Sequence, residues 1–188
     1  MNDATVTLAA VERGEPQAAE QLLGLLYKEL RRLAASKMVH ERPGQTLQPT
    51  ALVHEAWLRL VGDRSPSFNG RNHFFCAAAE AMRRILIERA RRKRAQRHGG
   101  GLDRTDIDNI EVVAPAPDEQ LLALHEALDK LALEHPVRAE LVKLRYFAGM
   151  TNEEAAQILG ISLSTAKNYW TFARAWLFQE ISGQGPKQ

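Results

Sequence analysis

The densest chemistry in this sequence is cationic. Arg83, Arg84, Arg89, Arg91, Arg92, Lys93, Arg94 and Arg97 fall within fifteen consecutive residues, opposed there by Glu88 alone. A helix end uses a few cations to offset its dipole, and eight exceed that need and repel one another. Phosphates relieve the repulsion and release condensed counterions as they bind, which makes nucleic acid the natural occupant of such a face. The plainer alternative is a solvated helix end, and the density of charge argues against it.

Enzyme chemistry finds no comparable footing. The sequence holds no Gly-rich phosphate loop, no metal-ligand spacing and no Ser/His/Asp or Cys/His arrangement. His54-Glu55 opens like a zinc-protease motif, but Leu58 stands where the second histidine belongs. Cys76 lies in an Ala-rich stretch and reads as core rather than nucleophile. Tyr27 and Glu88 fall short of what a DNA-cutting recombinase needs near its basic helix. No catalytic residue, metal or cofactor is therefore expected.

The cations need helices to carry them, and the apolar spacing supplies only helices. Alternation of the strand type is absent, so the fold class read from the sequence is all-α. Residues 1 to 40 give a short helix and then a longer one with Leu22, Leu23, Leu26, Leu30 and Leu33 as its stripe. Lys28, Arg31, Arg32 and Lys37 lie on the other side of it. His40 to Pro49 holds two prolines and a glycine and reads as a loop. Thr50 to Val61 is amphipathic: Leu52, Val53, Ala56, Trp57, Leu60 and Val61 face inward, and His54, Glu55 and Arg59 stay outside. Asn72 is placed to cap the basic helix, whose apolar side runs through Phe74, Phe75, Ala78, Met82, Ile85, Leu86 and Ala90.

Beyond the basic helix the character changes. Residues 51–100 carry eleven Lys/Arg against four Asp/Glu, and residues 101–150 carry five against ten. The Gly/Pro-bounded stretch 99–117, with Asp103, Asp106, Asp108 and Glu111 against Arg104, reads as an acidic linker between two helical domains, 1–98 and 118–182. In the second domain Leu121, Leu124, Leu128 and Leu131 form one stripe, and Pro136 opens a helix through Leu141, Val142, Leu144 and Phe147. Thr151 to Leu177 then reads as a helix-turn-helix. Thr151 and Glu154 make a capping box, Ala155, Ala156, Ile158 and Leu159 are apolar, and Gly160 ends the first helix. Ser162 caps the second, with Leu163, Ala166, Tyr169, Ala173 and Leu177 inward. Small residues at Ala156, Gly160 and Ala166 suit a close, steep crossing, and in this motif the second helix enters the major groove.

No basic-then-apolar leader and no apolar run near eighteen residues is read, and the single cysteine cannot form an internal disulfide. A cytoplasmic protein without a membrane association is expected.

Taken together, TLQPTALVHEAWLRL, NHFFCAAAEAMRRILIERARRKRAQRHGG and the C-terminal motif ending FARAWL resemble the two-domain, extracytoplasmic-function (ECF) class of bacterial RNA polymerase sigma factors in the sigma-70 family. The resemblance covers nearly the whole chain. It implies a region-2 module followed by a region-4 module, and core RNA polymerase and promoter DNA as partners. His54, Glu55 and Arg59 become contacts to the polymerase clamp helices. Arg83, Arg84, Arg91, Arg92, Arg94 and Arg97 fall to the minus-ten element. Ser164, Thr165, Lys167, Asn168, Thr171 and Arg174 fall to the minus-thirty-five element, where Lys and Arg suit guanine edges or phosphates and Asn suits adenine. Phe74 and Phe75, at the helix start, stand where the core has the prior claim on them.

The resemblance also gives the linker a role as a polyanion mimic in a positively charged polymerase channel, and it adds an anti-sigma protein as a further partner, for which no residue speaks. One departure from the common pattern is clear: Lys167 is followed by Asn168, Tyr169 and Trp170 rather than a nearby Arg, so the promoter sequence does not transfer. From Asp118 onward seven Lys/Arg face nine Asp/Glu, so this module alone should hold DNA weakly. The rival reading is a stand-alone helix-turn-helix regulator that binds a palindromic site as a dimer.

Overall fold

The computed structural model describes residues 21, 24–25, 27–32, 49–61, 68, 70–99 and 117–183. Residues 100–116, which hold the four linker carboxylates, lie outside the described residues, as do Leu22, Leu23, Leu26, Leu33, Lys37 and the loop from His40 to residue 48. Among the described residues all regular structure is helical and there is no strand. Helical residues within 21–32 precede six continuous helices: α1 (Pro49–Val61), α2 (Arg71–Gly99), α3 (Pro117–Glu134), α4 (Pro136–Tyr146), α5 (Asn152–Leu159) and α6 (Leu163–Ile181).

Local chemistry explains most of the boundaries. Pro136 occupies the first turn of α4, where its missing N–H costs nothing. Asp118 and Glu119 lie in the first turn of α3, the favourable end of its dipole for carboxylates. At α5 the capping box is complete: Thr151 accepts from the Glu154 N–H at 3.2 Å, and Glu154 accepts from the Thr151 N–H at 2.9 Å. Ser162 caps α6 by accepting from the Thr165 N–H at 3.1 Å. The start of α2 departs from expectation. Gly70, at φ 93°, offers its carbonyl to the Phe74 N–H, so the helix begins at Arg71 and Asn72 stands exposed inside the first turn.

Two further expectations need correction at the α5–α6 turn. Ala156 and Ala166 are buried where the helices meet, as small residues there should be. A Cβ on Gly160 would meet nothing within 4 Å, so Gly160 is not there for close approach. Its φ of 66° is the reason: the chain turns through the left-handed region, which glycine enters without penalty. Leu163, expected on the inner side of α6, is 37% exposed, while Ala166 in the same turn is fully buried.

The core is continuous along the described helices. Leu30, Val53, Phe74, Phe75, Met82 and Ile85 belong to the same buried cluster as Leu128, Leu131, Leu141, Leu144, Ala155, Ala166 and Leu177. At one end, Tyr27, Trp57, Phe68, Phe74 and Phe75 form a chain of edge-to-face contacts with centroids 5.1–6.1 Å apart. At the other, α6 lies on α3, α4 and α5. Between them α2 packs along α3, α4 and α5, so helices on either side of residues 100–116 touch directly.

Candidate nucleic-acid interface

Helix α6 separates its two sides cleanly. Ala166, Ala173 and Leu177 are buried, and Ser164, Lys167, Asn168, Thr171 and Arg174 are exposed. The exposed residues recur at three- and four-residue steps, which places them on one side of the helix, N-terminal end first. Thr165 is the exception among the six residues assigned to this helix. It is half-buried, its Oγ1 lies 2.8 Å from Ser162 Oγ, and its N–H serves the cap, so both groups are engaged at the helix start. Thr171 donates its hydroxyl to the Lys167 carbonyl at 3.1 Å and keeps only acceptor capacity. Thr171 and Arg174 also edge an open apolar groove of about 600 Å³ lined by Leu124, Val142, Tyr146, Trp170, Leu177 and Phe178.

Three aromatic residues of α6 are held by cations of α4. The Arg138 guanidinium lies over the Phe172 ring at 3.8 Å and the Tyr169 ring at 5.0 Å, and Arg145 lies over Trp170 at 3.8 Å. His135 meets Phe172 edge-on at 5.0 Å. These contacts fix the rotation of α6 about its axis, and with it the direction of the exposed stripe. Nothing in the spacing of Arg138 announced this role, since its partners Tyr169 and Phe172 lie far downstream on another helix.

The cations of α2 divide into two sets. Arg84, Arg91, Arg92 and Arg94 are exposed. Arg97 belongs to the helix backbone, and its side chain lies outside the described residues. Arg83, by contrast, is 4% exposed and is committed to partners: Glu80 at 3.2 Å, and His125 and Asp129 of α3. It is therefore not presented to a ligand in this arrangement. Several of these cations also have carboxylate partners outside the run in which Glu88 alone opposes them. Arg84 meets Glu80 at 3.0 Å, Arg89 meets Glu55 at 2.6 Å, and Lys93 approaches Asp118 at 3.8 Å. Spacing within one helix could not show this, because most of these carboxylates lie on other helices.

The electrostatics around Arg83 follow from burial opposed by charge. Burial pushes the Glu80 carboxyl up, but Lys143, Arg83 and Arg84 outweigh it and hold the group below its ordinary value. Lys143 is depressed by burial, yet Glu140 at 2.8 Å and Glu80 at 3.2 Å hold it above the ordinary lysine value. His125 is pushed down, first by burial and then by Arg83, with Asp129 opposing. Its imidazole is thus neutral at pH 7, seated between Arg83 and Arg91. Phe74 and Phe75 are fully buried and offer no ring to an unstacked base.

Residues 1–183 match the family described as ECF sigma factor. The chain belongs to that family. As an ECF sigma factor it binds core RNA polymerase and promoter DNA and directs transcription initiation. Neither a curated protein nor a solved structure matches the chain.

In this sigma factor the outer side of α1 is built by pairing. Arg59 bonds Glu88 at 2.7 and 2.9 Å and Glu55 at 3.1 Å, and Glu55 also receives Arg89. The Glu88 bond is the main cause that raises the Arg59 pKa, and the same bond lowers that of Glu88. Such exposed pairs orient side chains more than they stabilise the fold. His54 is exposed beside them. Leu58, 57% exposed and one turn beyond His54, entered the sequence reading only as the residue that breaks a zinc motif and not as a contact. The signal was present: an apolar residue interrupts the polar side of an amphipathic helix, as docking faces often require.

Among the described residues no helix is long and apolar enough to cross a membrane, and no group of three or more His, Cys, Asp or Glu is placed to hold a metal ion.

Proposed function

We propose that this ECF sigma factor divides promoter recognition between its two halves, 1–98 and 118–182, as a region-2 module and a helix-turn-helix region-4 module joined by the acidic stretch 99–117. The exposed stripe Ser164, Lys167, Asn168, Thr171 and Arg174 reads the upstream element from the major groove, with Thr165 and Arg138 holding the helix in register. The exposed cations Arg84, Arg91, Arg92 and Arg94, with Arg97, engage the downstream element and its melted strand through phosphates. His54, Glu55, Arg59 and the neighbouring Leu58 meet core polymerase. The reaction itself belongs to the polymerase, and the place of action is the cytoplasm, where an anti-sigma protein is a further expected partner.

The observation that carries this reading is the two-sided character of α6 in a chain of the ECF family. Five polar or charged residues share its exposed side, and its opposite side is sealed by Ala166, Ala173 and Leu177. A dimeric stand-alone regulator is not favoured by that family placement. The test is reconstitution: purified protein added to sigma-free core polymerase should yield promoter-dependent RNA. Asn168→Ala should weaken synthesis by about ten-fold, as loss of one good base contact implies, and Leu58→Asp should reduce core binding. No binding to core by the unmodified protein would defeat the proposal.

A further inference from the structure

We propose that Thr171 reads a thymine of the upstream element through its γ-methyl group, so that the DNA this sigma factor selects places a thymine beside the adenine met by Asn168. The proposal rests on the reading of α6 as the helix that enters the major groove.

Thr171 stands at the middle of the exposed side of α6. Its helical neighbours at three and four residues on either side are Lys167, Asn168, Arg174 and Ala175, and all four are exposed. Ala166, Ala173 and Leu177 seal the opposite side. The two edges beside Thr171 differ in charge. Lys167 and Arg174, two turns apart, share one edge, and Asn168 and Ala175, also two turns apart, share the other. Beyond the neutral edge Phe172 lies under the Arg138 guanidinium at 3.8 Å, which closes that flank. A helix in the major groove brings its central residues nearest the base edges, and residues at its margins reach the phosphates along the groove walls. The cations of α6 thus sit at a margin, and the centre left for the bases is uncharged.

The hydroxyl of Thr171 is already committed. It donates to the Lys167 carbonyl at 3.1 Å, one turn back, and so has no proton for the acceptors of guanine or for thymine O4. The free part of the side chain is its γ-methyl, and the apolar group that the major groove offers is the C5 methyl of thymine. Ala175, exposed one turn further along, continues the same apolar strip. Asn168 precedes Thr171 by three residues, a rise of about 4.5 Å along the helix against about 3.4 Å between base pairs. Asparagine pairs with N6 and N7 of adenine. The adenine and the thymine under these two side chains therefore fall on neighbouring base pairs, and the centre of the element is A·T rather than G·C.

Replacement of single thymines by deoxyuridine tests this in the holoenzyme, because uracil keeps every hydrogen-bonding group of thymine and lacks only the methyl. The full-length protein with core polymerase selects duplexes from a pool randomised upstream of the transcription start, and each thymine of the selected upstream element is then replaced in turn. With the unmodified protein at least one replacement should weaken binding about four-fold, the worth of one buried methyl group. Thr171→Ser, which keeps the hydroxyl and drops the methyl, should abolish that difference. Thr171→Val, which keeps the methyl and drops the hydroxyl, should preserve it. Each comparison sets two DNAs against one protein, so a change in folding or in core binding cancels. No methyl-sensitive thymine, an undiminished difference in Thr171→Ser, or its loss in Thr171→Val would each overturn the proposal. Asn168→Ala separates it from the reading on which it rests. If that substitution abolishes a preference for adenine while no thymine is methyl-sensitive, α6 still enters the major groove and only the Thr171 contact is disproved. If neither Asn168→Ala nor Thr171→Ser alters the selected sequence, the major-groove reading falls with it.

Discussion

His125 shows how one residue can link the fold to pH. Its imidazole is neutral because burial and the Arg83 guanidinium both disfavour a second positive charge there, and Asp129 only partly compensates. A folded-state pKa below the ordinary value of about 6.5 means that the unfolded chain takes up the proton first as pH falls. The stabilisation is therefore complete above about pH 6.5 and is lost as pH drops through the folded value. Urea denaturation at pH 7.5 and 5.5 should show a fall in stability that is smaller in His125→Gln. An equal fall in both proteins would place the acid sensitivity elsewhere. Other residues were legible without the structure: Thr151 and Glu154 are three apart, so their reciprocal bonds follow from local geometry. Arg83 was not. Its type and its neighbours along the chain announce a phosphate contact, while its actual partners include Asp129, forty-six residues away.

At the scale of elements, the α5–turn–α6 unit is the most strongly specified piece of the chain. A capping box starts it, a left-handed glycine turns it and a serine cap restarts it. Gly160→Ala separates the two possible jobs of that glycine, because no neighbouring atom lies where the new methyl would go. The remaining cost is conformational, about 1 kcal/mol and up to about 2 for a non-glycine residue held in the left-handed region. Urea denaturation should report that loss, and Gly160→Asn should lose less, since asparagine tolerates the same conformation better. A neutral Gly160→Ala would show that the turn relaxes to another geometry. The α1 helix is the complementary case. Its period gave the buried Leu52, Val53 and Ala56 directly, but the pairing of Glu55 and Arg59 with Arg89 and Glu88 required α2 to be in place beside it.

At the scale of the molecule, charge is divided unevenly and function depends on joining the parts. Residues 118 to 188 carry seven Lys/Arg against nine Asp/Glu, so phosphate neutralisation contributes little to DNA binding by this half alone. A fragment beginning at Pro117 retains its own buried residues, among them Leu128, Leu131, Leu141, Leu144 and Leu177, and should fold. It should nevertheless bind promoter DNA at least about a hundred-fold more weakly than the full chain does in holoenzyme, the scale that tethering supplies. Mobility-shift titration checks this, and tight specific binding by the fragment would contradict it. The sequence by itself determined the main helices, the caps of α5 and α6, the amphipathic sides of α1 and α6 and the family motifs, because each of these depends on residues a few positions apart. Only the tertiary structure decided which cations face solvent, which are bound to carboxylates on other helices, and that α2 lies against α3, because charges far apart in the chain find their partners only when packing brings them together.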